Sequence, residues 1–212
     1  MTFDITAATE RNRRHFADVV DAQPPEQHDA ETLCNGWTVR VLTAHMLQPM
    51  EVGFLRFALA SLRHRGRVDP TIDSIARRRA TADIAQLPRR LRALAGEKVS
   101  PPHVGPFGPF AETCIHLRDI ARPLHIDADV PRDDWRHLLD YLLSPGAAAA
   151  LVPPGRLDGL EFHATDLHWS AGGGARVDGP SEAIAMSVTG RRPTLADLDG
   201  PGVNLLAARL PA

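Results

Sequence analysis

The spacing of apolar positions divides the chain into two regimes. Up to about residue 144, apolar residues recur at helical intervals. Residues 5–22 carry Phe16, Val19 and Val20 on one side, Thr6 is the candidate cap, and Gln23-Pro24-Pro25 ends the run. Thr38 is placed to cap a second helix that continues past Pro49, which should kink it, through Phe54, Leu55, Phe57 and Leu59. A third begins around Asp73 and carries Ile75, Ile84, Leu87, Leu91 and Leu94, with a break expected near Pro88. Pro109 suits the first turn of a helix that Pro123 closes, and Trp135, Leu138, Leu139, Tyr141 and Leu142 mark another.

Breakers at Ser144-Pro-Gly and Val152-Pro-Pro-Gly155 then change the pattern. Residues 160–169 alternate as a strand, Ser170-Ala-Gly-Gly-Gly174 reads as a turn, and residues 175–178 return as a second strand, giving a hairpin. Residues 183–189 read as a helix stopped by Gly190, residues 194–198 as a short helical turn, and residues 203–210 as a terminal strand. The expected architecture is therefore mainly α: a helical bundle over residues 1–144 and a small α/β domain over residues 153–212.

Composition narrows the function classes. Hydrophobic residues make up 43% and charged residues 24% of the 212 positions, enough for a true core. A net charge of −2 argues against a nucleic-acid footprint, so the run Arg77-Arg-Arg79 reads as a solvated helix face. Lys98 is the single lysine among 24 basic residues, which points to GC-rich codon usage rather than to function. No apolar run approaches the roughly 20 residues that span a bilayer, and charges at Asp4, Glu10 and Arg11 leave no signal-peptide pattern. No membrane partner and a cytoplasmic location are expected. Cys34 and Cys114 make no disulfide framework and are expected to be packing residues.

The chemistry concentrates in Glu112-Thr-Cys-Ile-His116-Leu-Arg-Asp119. On a helix, Glu112 and His116 stand one turn apart on one face, opposite Phe110, Cys114, Leu117 and Ala121. A carboxylate and an imidazole at this spacing can ligate one divalent metal, and Asp119 sits where it would orient His116. A third ligand, His45, falls two turns into the helix that Thr38 opens. Two imidazoles and a carboxylate leave at least one coordination position open, as catalytic sites do. The bland rival is that these are polar residues lining a bundle cleft. His15, His64, His125, His137, His163 and His168 read as surface or packing residues, as does His103 in its loop.

The segment Cys34-x-Gly36-Trp37-Thr38 with His45, together with Glu112-x-x-x-His116-x-x-Asp119, resembles the mycothiol-dependent maleylpyruvate isomerase family. The tail, with Gly179-Pro-Ser-Glu182, Thr189-Gly190-Arg191 and Leu198-x-Gly200-x-Gly202, extends the resemblance over nearly the whole chain. It implies a DinB-like up-down four-helix bundle followed by a small sterol-carrier-like α/β domain. It also implies a divalent metal, usually zinc, on His45, Glu112 and His116, and mycothiol as thiol co-substrate for a small electrophile. The implied activity is a thiol-dependent isomerase or S-transferase, and a homodimer is among the implied states. The chain departs from the family in having Val41 where Asp often stands four residues before the first ligand. Arg191 and Arg209 are the candidates for the family's substrate-side arginine. Two readings stand beside this one: a non-catalytic metal- or ligand-binding protein, and a non-haem Fe(II) enzyme using the same 2-His-1-carboxylate set.

Overall fold

The computed structural model describes residues 3–101, 104–144 and 151–211. It forms two compact units, Met1–Asp129 and Val130–Ala212. The first is helical: α1 (Ile5–Asp21), α2 (Val39–Met46), α3 (Gln48–Glu51), α4 (Phe54–Arg63), α5 (Val68–Arg79), α6 (Gln86–Ala93) and α7 (Phe107–Ala121), with a 3-10 turn at Pro25–Asp29. The cap of α1 is Asp4 rather than Thr6. Its carboxylate accepts from the N–H groups of Thr6 and Ala7 at 3.0 and 3.1 Å, satisfying donors that the first turn leaves orphaned.

The expected second helix is three. Pro49 stands in the first turn of α3, where its missing N–H costs nothing, and the chain breaks again before α4. Phe54, Leu55 and Leu59 of α4 are exposed rather than buried. The third expected helix also divides, at residues 80–85, because Pro88 is tolerated in the first turn of α6 instead of breaking a continuous helix. Glu51 of α3 pairs with Arg79 and, at 2.6 Å, with Arg90, fastening α3 to α5 and α6. α1 packs on α6 and α7, and α2 packs on α5, α6 and α7. Phe16, Val20, Leu42, Leu47, Leu87, Leu91, Phe110, Leu117 and Ile120 fill the space between them with no exposed surface.

The second unit joins α8 (Arg132–Leu142), a three-stranded sheet, α9 (Ser181–Val188), a 3-10 turn at Arg192–Asp197 and α10 (Val203–Ala208). The sequence pattern placed α8 with the bundle, ending it at residue 144. In the structure the division falls after Asp129, and α8 packs on α9, with Trp135, Leu138, Leu139 and Leu142 buried. The sheet order is β2-β1-β3, with β1 (Leu160–Ala164) central. β2 (Trp169–Gly172) pairs with it antiparallel, and β3 (Ala175–Gly179) pairs with it in parallel. Residues 160–169 are thus two strands and a turn, and the glycine run is not a hairpin turn. It carries the chain past the start of β1 to the far edge. Two other features are settled here. α9 ends in a Schellman arrangement, with Gly190 N–H on the Ser187 carbonyl and Arg191 N–H on the Met186 carbonyl. The terminal segment is a helix rather than a strand: Leu205-Leu-Ala-Ala208 favours helix, and apolar runs this short are ambiguous by period.

Among the described residues no helix is long and apolar enough to cross a membrane.

The crossing past β1 depends on glycine. Gly174 has φ +127°, and a Cβ there would fall 2.2 Å from the Gly159 carbonyl oxygen. Gly174→Ala should therefore destabilise the second unit by at least about 1–3 kcal/mol, the typical cost of such backbone strain before the clash is counted. Chemical denaturation of the full chain measures this, and an unchanged midpoint would contradict it.

Candidate metal centre

The centre is assembled from one turn and two helices. The turn reverses the chain between Cys34 and Trp37, whose N–H donates to the Cys34 carbonyl at 2.9 Å, and Gly36 takes the left-handed conformation at φ +72°. Thr32 Oγ1 donates to the Trp37 carbonyl and accepts from the Cys34 N–H, at 2.9 and 3.1 Å. Asp73 of α5 accepts from Trp37 Nε1 and from Arg77 Nε, both at 2.8 Å, while Arg77 Nη2 donates to the Gly36 carbonyl at 2.8 Å. Arg77 thus has a local task. A last bond, from the Leu33 N–H to the Asp119 carbonyl at 3.0 Å, ties the turn to α7.

Immediately after the turn, Thr38 caps α2 by accepting from the Val41 N–H at 3.4 Å. His45 lies two turns in, and its ring sits 4.9 Å from the Trp37 ring, centroid to centroid. α7 supplies the other side chains. Phe110, Cys114, Leu117 and Ala121 are buried on its apolar side, yet His116 and Asp119 are also buried, at 8% and 0% exposure. The face that an amphipathic reading would leave to solvent is closed over.

Among the described residues, only Cys34, His116 and Asp119 bring three donor atoms mutually within 4.8 Å, and a looser set of His45, Glu112 and the His116 ring lies beside them. In the looser set, His45 Nε2 stands 3.7 Å from Glu112 Oε1, and the His45 and His116 rings meet nearly perpendicular with centroids 5.2 Å apart. The nitrogen–oxygen separation is too long for a hydrogen bond and close to the ~3.4 Å that separates two ligands of a tetrahedral ion with bonds of about 2.0–2.2 Å. In the tighter set, Asp119 Oδ2 lies 2.9 Å from His116 Nδ1 and 3.0 Å from Cys34 Sγ, and the sulfur is 3.6 Å from the same nitrogen.

The structure brings His45, Glu112, His116 and Asp119 together and separates the two cysteines. Cys114 is fully buried, accepting a 3.8 Å contact from Asn12 Nδ2, as a packing residue would. Cys34 is not a mere packing residue, because its thiol reaches the carboxylate behind His116. That was missed, although Cys34 sits in the same segment that delivers His45. Trp37 figures in the sequence reading only within the resembling segment, and its contact with the His45 ring comes from the structure. His103 lies outside the described residues. In the second unit, Arg191 Nη1 donates to the Thr189 carbonyl, and Arg209 Nη1 donates to the carbonyls of Arg156 and Asp158.

The two histidines sit in opposite electrostatic settings. Burial pushes His45 down to about 3, the charge on His116 adds to this, and the Gln48 side chain opposes it only in part. Burial also pulls on His116, but charge and hydrogen bonding from Cys34 and Asp119 outweigh it and lift the ring to about 10. Burial raises the Glu112 carboxyl against the lowering influence of His116 and Arg13. The donor set fits a divalent cation: a neutral imidazole, a carboxylate, and a second imidazole whose far nitrogen is held by a carboxylate.

A mainly helical unit bearing clustered metal-type ligands, followed by a small three-stranded α/β unit, is thus the class that fold and site define. No protein-family model matches the chain, and no curated protein matches it. Among solved structures, the chain is similar to the crystal structure of a histidine-to-alanine mutant of mycothiol-dependent maleylpyruvate isomerase. The TM-score is 0.60 at 15% sequence identity, over 93% of this chain and 91% of that one. At that identity the likeness establishes a shared fold.

One consequence concerns pH. His45 has its folded value below its unfolded value of about 6.5. Its contribution to stability is therefore full above that value and lost as pH falls from there toward about 3. In metal-free protein the carbon-bound ring protons of His45 should show no NMR titration step between pH 8 and pH 4.5. A midpoint near the ordinary histidine value would contradict the buried, neutral ring.

Proposed function

We propose that the helical unit seats one divalent metal, zinc by donor type, on His45, Glu112 and His116, and that the protein is a thiol-dependent metalloenzyme. Its reaction is isomerisation of, or S-transfer to, a small electrophile, with mycothiol as the co-substrate. The observation that carries this reading is the convergence of two imidazoles and a carboxylate from α2 and α7, with Asp119 behind one imidazole. The shared fold with a mycothiol-dependent isomerase supports it.

When bound, the ion would supply the Lewis acidity that keeps a thiol in its thiolate form at neutral pH. The chain's own residues do the rest. Asp119 accepts the Nδ1 proton of His116, which fixes the tautomer and aims Nε2 outward. Trp37 shelves the His45 ring, and burial keeps it neutral and able to ligate. Glu112, half-buried one turn before His116, adds the single negative charge of the set and leaves a further position for thiol or substrate. Both helices hold these groups by packed backbone, so the geometry need not form around each substrate.

Metal analysis and calorimetric Zn2+ titration test the seat. Wild type should hold about one ion per chain, His116→Ala should fall to background, and His45→Ala and Asp119→Ala should each weaken Zn2+ binding, the latter by about 10- to 100-fold. Mycothiol added to an activated alkene should give turnover in wild type and none in the ligand variants. Equal metal content in wild type and His116→Ala would end the metalloenzyme reading. Bound iron with thiol-independent oxygen consumption would replace it with Fe(II) chemistry, and metal without turnover would leave a binding protein.

A further inference from the structure

We propose that Cys34, His116 and Asp119 form a second, thiolate-bearing seat for a soft divalent cation, exclusive of the first because both use the His116 ring. The grouping is built rather than incidental: the turn holding Cys34 is fixed by hydrogen bonds to α5, α7 and itself, and Asp119 is fully buried. Its edges approach those of a metal polyhedron. With bonds of about 2.3 Å to sulfur and about 2.0–2.1 Å to nitrogen and oxygen, tetrahedral ligands stand ~3.4–3.6 Å apart. The sulfur–nitrogen edge is already 3.6 Å, while the two edges to the carboxylate, 3.0 and 2.9 Å, need to open by about half an ångström. Cys34 is the partly exposed member, which gives an ion a way in.

Exclusivity follows from the chemistry of imidazole. A neutral ring has one N–H and one lone pair. While Nδ1–H points at Asp119, the lone pair is on Nε2 and serves His45 and Glu112. For the second seat the one proton left on the ring sits on Nε2, Nδ1 becomes the donor atom, and the proton it held and the Cys34 thiol proton go to solvent. Asp119 then changes from acceptor to ligand. A thiolate favours soft and borderline ions such as Cd2+ and Zn2+ over Mg2+ or Ca2+, so softness selects the seat. Only the competition rests on the function proposed above; the second seat stands without it.

Cd2+ titration of the full chain, read by the ultraviolet thiolate-to-cadmium charge-transfer band, tests this. Wild type, Cys114→Ser and His45→Ala should all show the band, and Cys34→Ser should lose it. Folding is checked by circular dichroism, with Glu112→Gln replacing His45→Ala should the latter unfold. Cd2+ bound without the band, no Cd2+ bound, a band that survives Cys34→Ser, or a band lost in a folded His45→Ala or Glu112→Gln would each overturn it. Absence of mycothiol turnover would leave the band untouched, so the two readings fail separately.

Discussion

A carboxylate with no exposed surface is expensive to keep unless every neighbour donates to it. Asp119 meets that condition through His116 from its own helix and the Cys34 thiol from the turn at residues 33–37. Its backbone carbonyl takes the Leu33 N–H as well. Two contacts of one residue therefore lock the turn to α7, and a third holds the His116 ring on the same helix. Because Trp37 closes the turn and shelves His45, the same lock sets the approach of α2's histidine to α7's carboxylate. Loosening Asp119 would release three side chains, although it touches only two of them.

What was legible in the sequence is what local periodicity and capping decide. α7 and its Glu112–His116 pair follow from the 3.6-residue repeat, Asp119 from its i+3 position, and His45 from its place two turns beyond a capping Thr38. The sharing of Asp119 by Cys34 was not legible, because the partners are 85 residues apart and a lone cysteine before a turn carries no spacing signal. The same limit governed the sheet. Alternation marked residues 160–169 and 175–178 as extended, but where a strand ends and the order of strands depend on partners. Gly172 and Gly174 could equally open a hairpin or, as found, lead the chain around the end of β1. Pro49 and Pro88 misled in a related way: each marks a helix start rather than a kink, a distinction that depends on where the preceding helix ends.

The two histidines show how one site can be built from unlike halves. One turn before His45 the chain has Val41, buried on α2, so no charge from that position orients the ring. An aromatic face takes over, and the consequence is an uncharged imidazole positioned by packing. His116 is positioned by charge instead, and holds its proton far above the ordinary histidine range. A cation entering the proposed first seat must displace a proton from the His116 side and none from the His45 side. Packing fixes one ligand and electrostatics the other, so acid works against them unequally. As pH falls, the charge-held ring gives up its lone pair first, while the packed ring stays available.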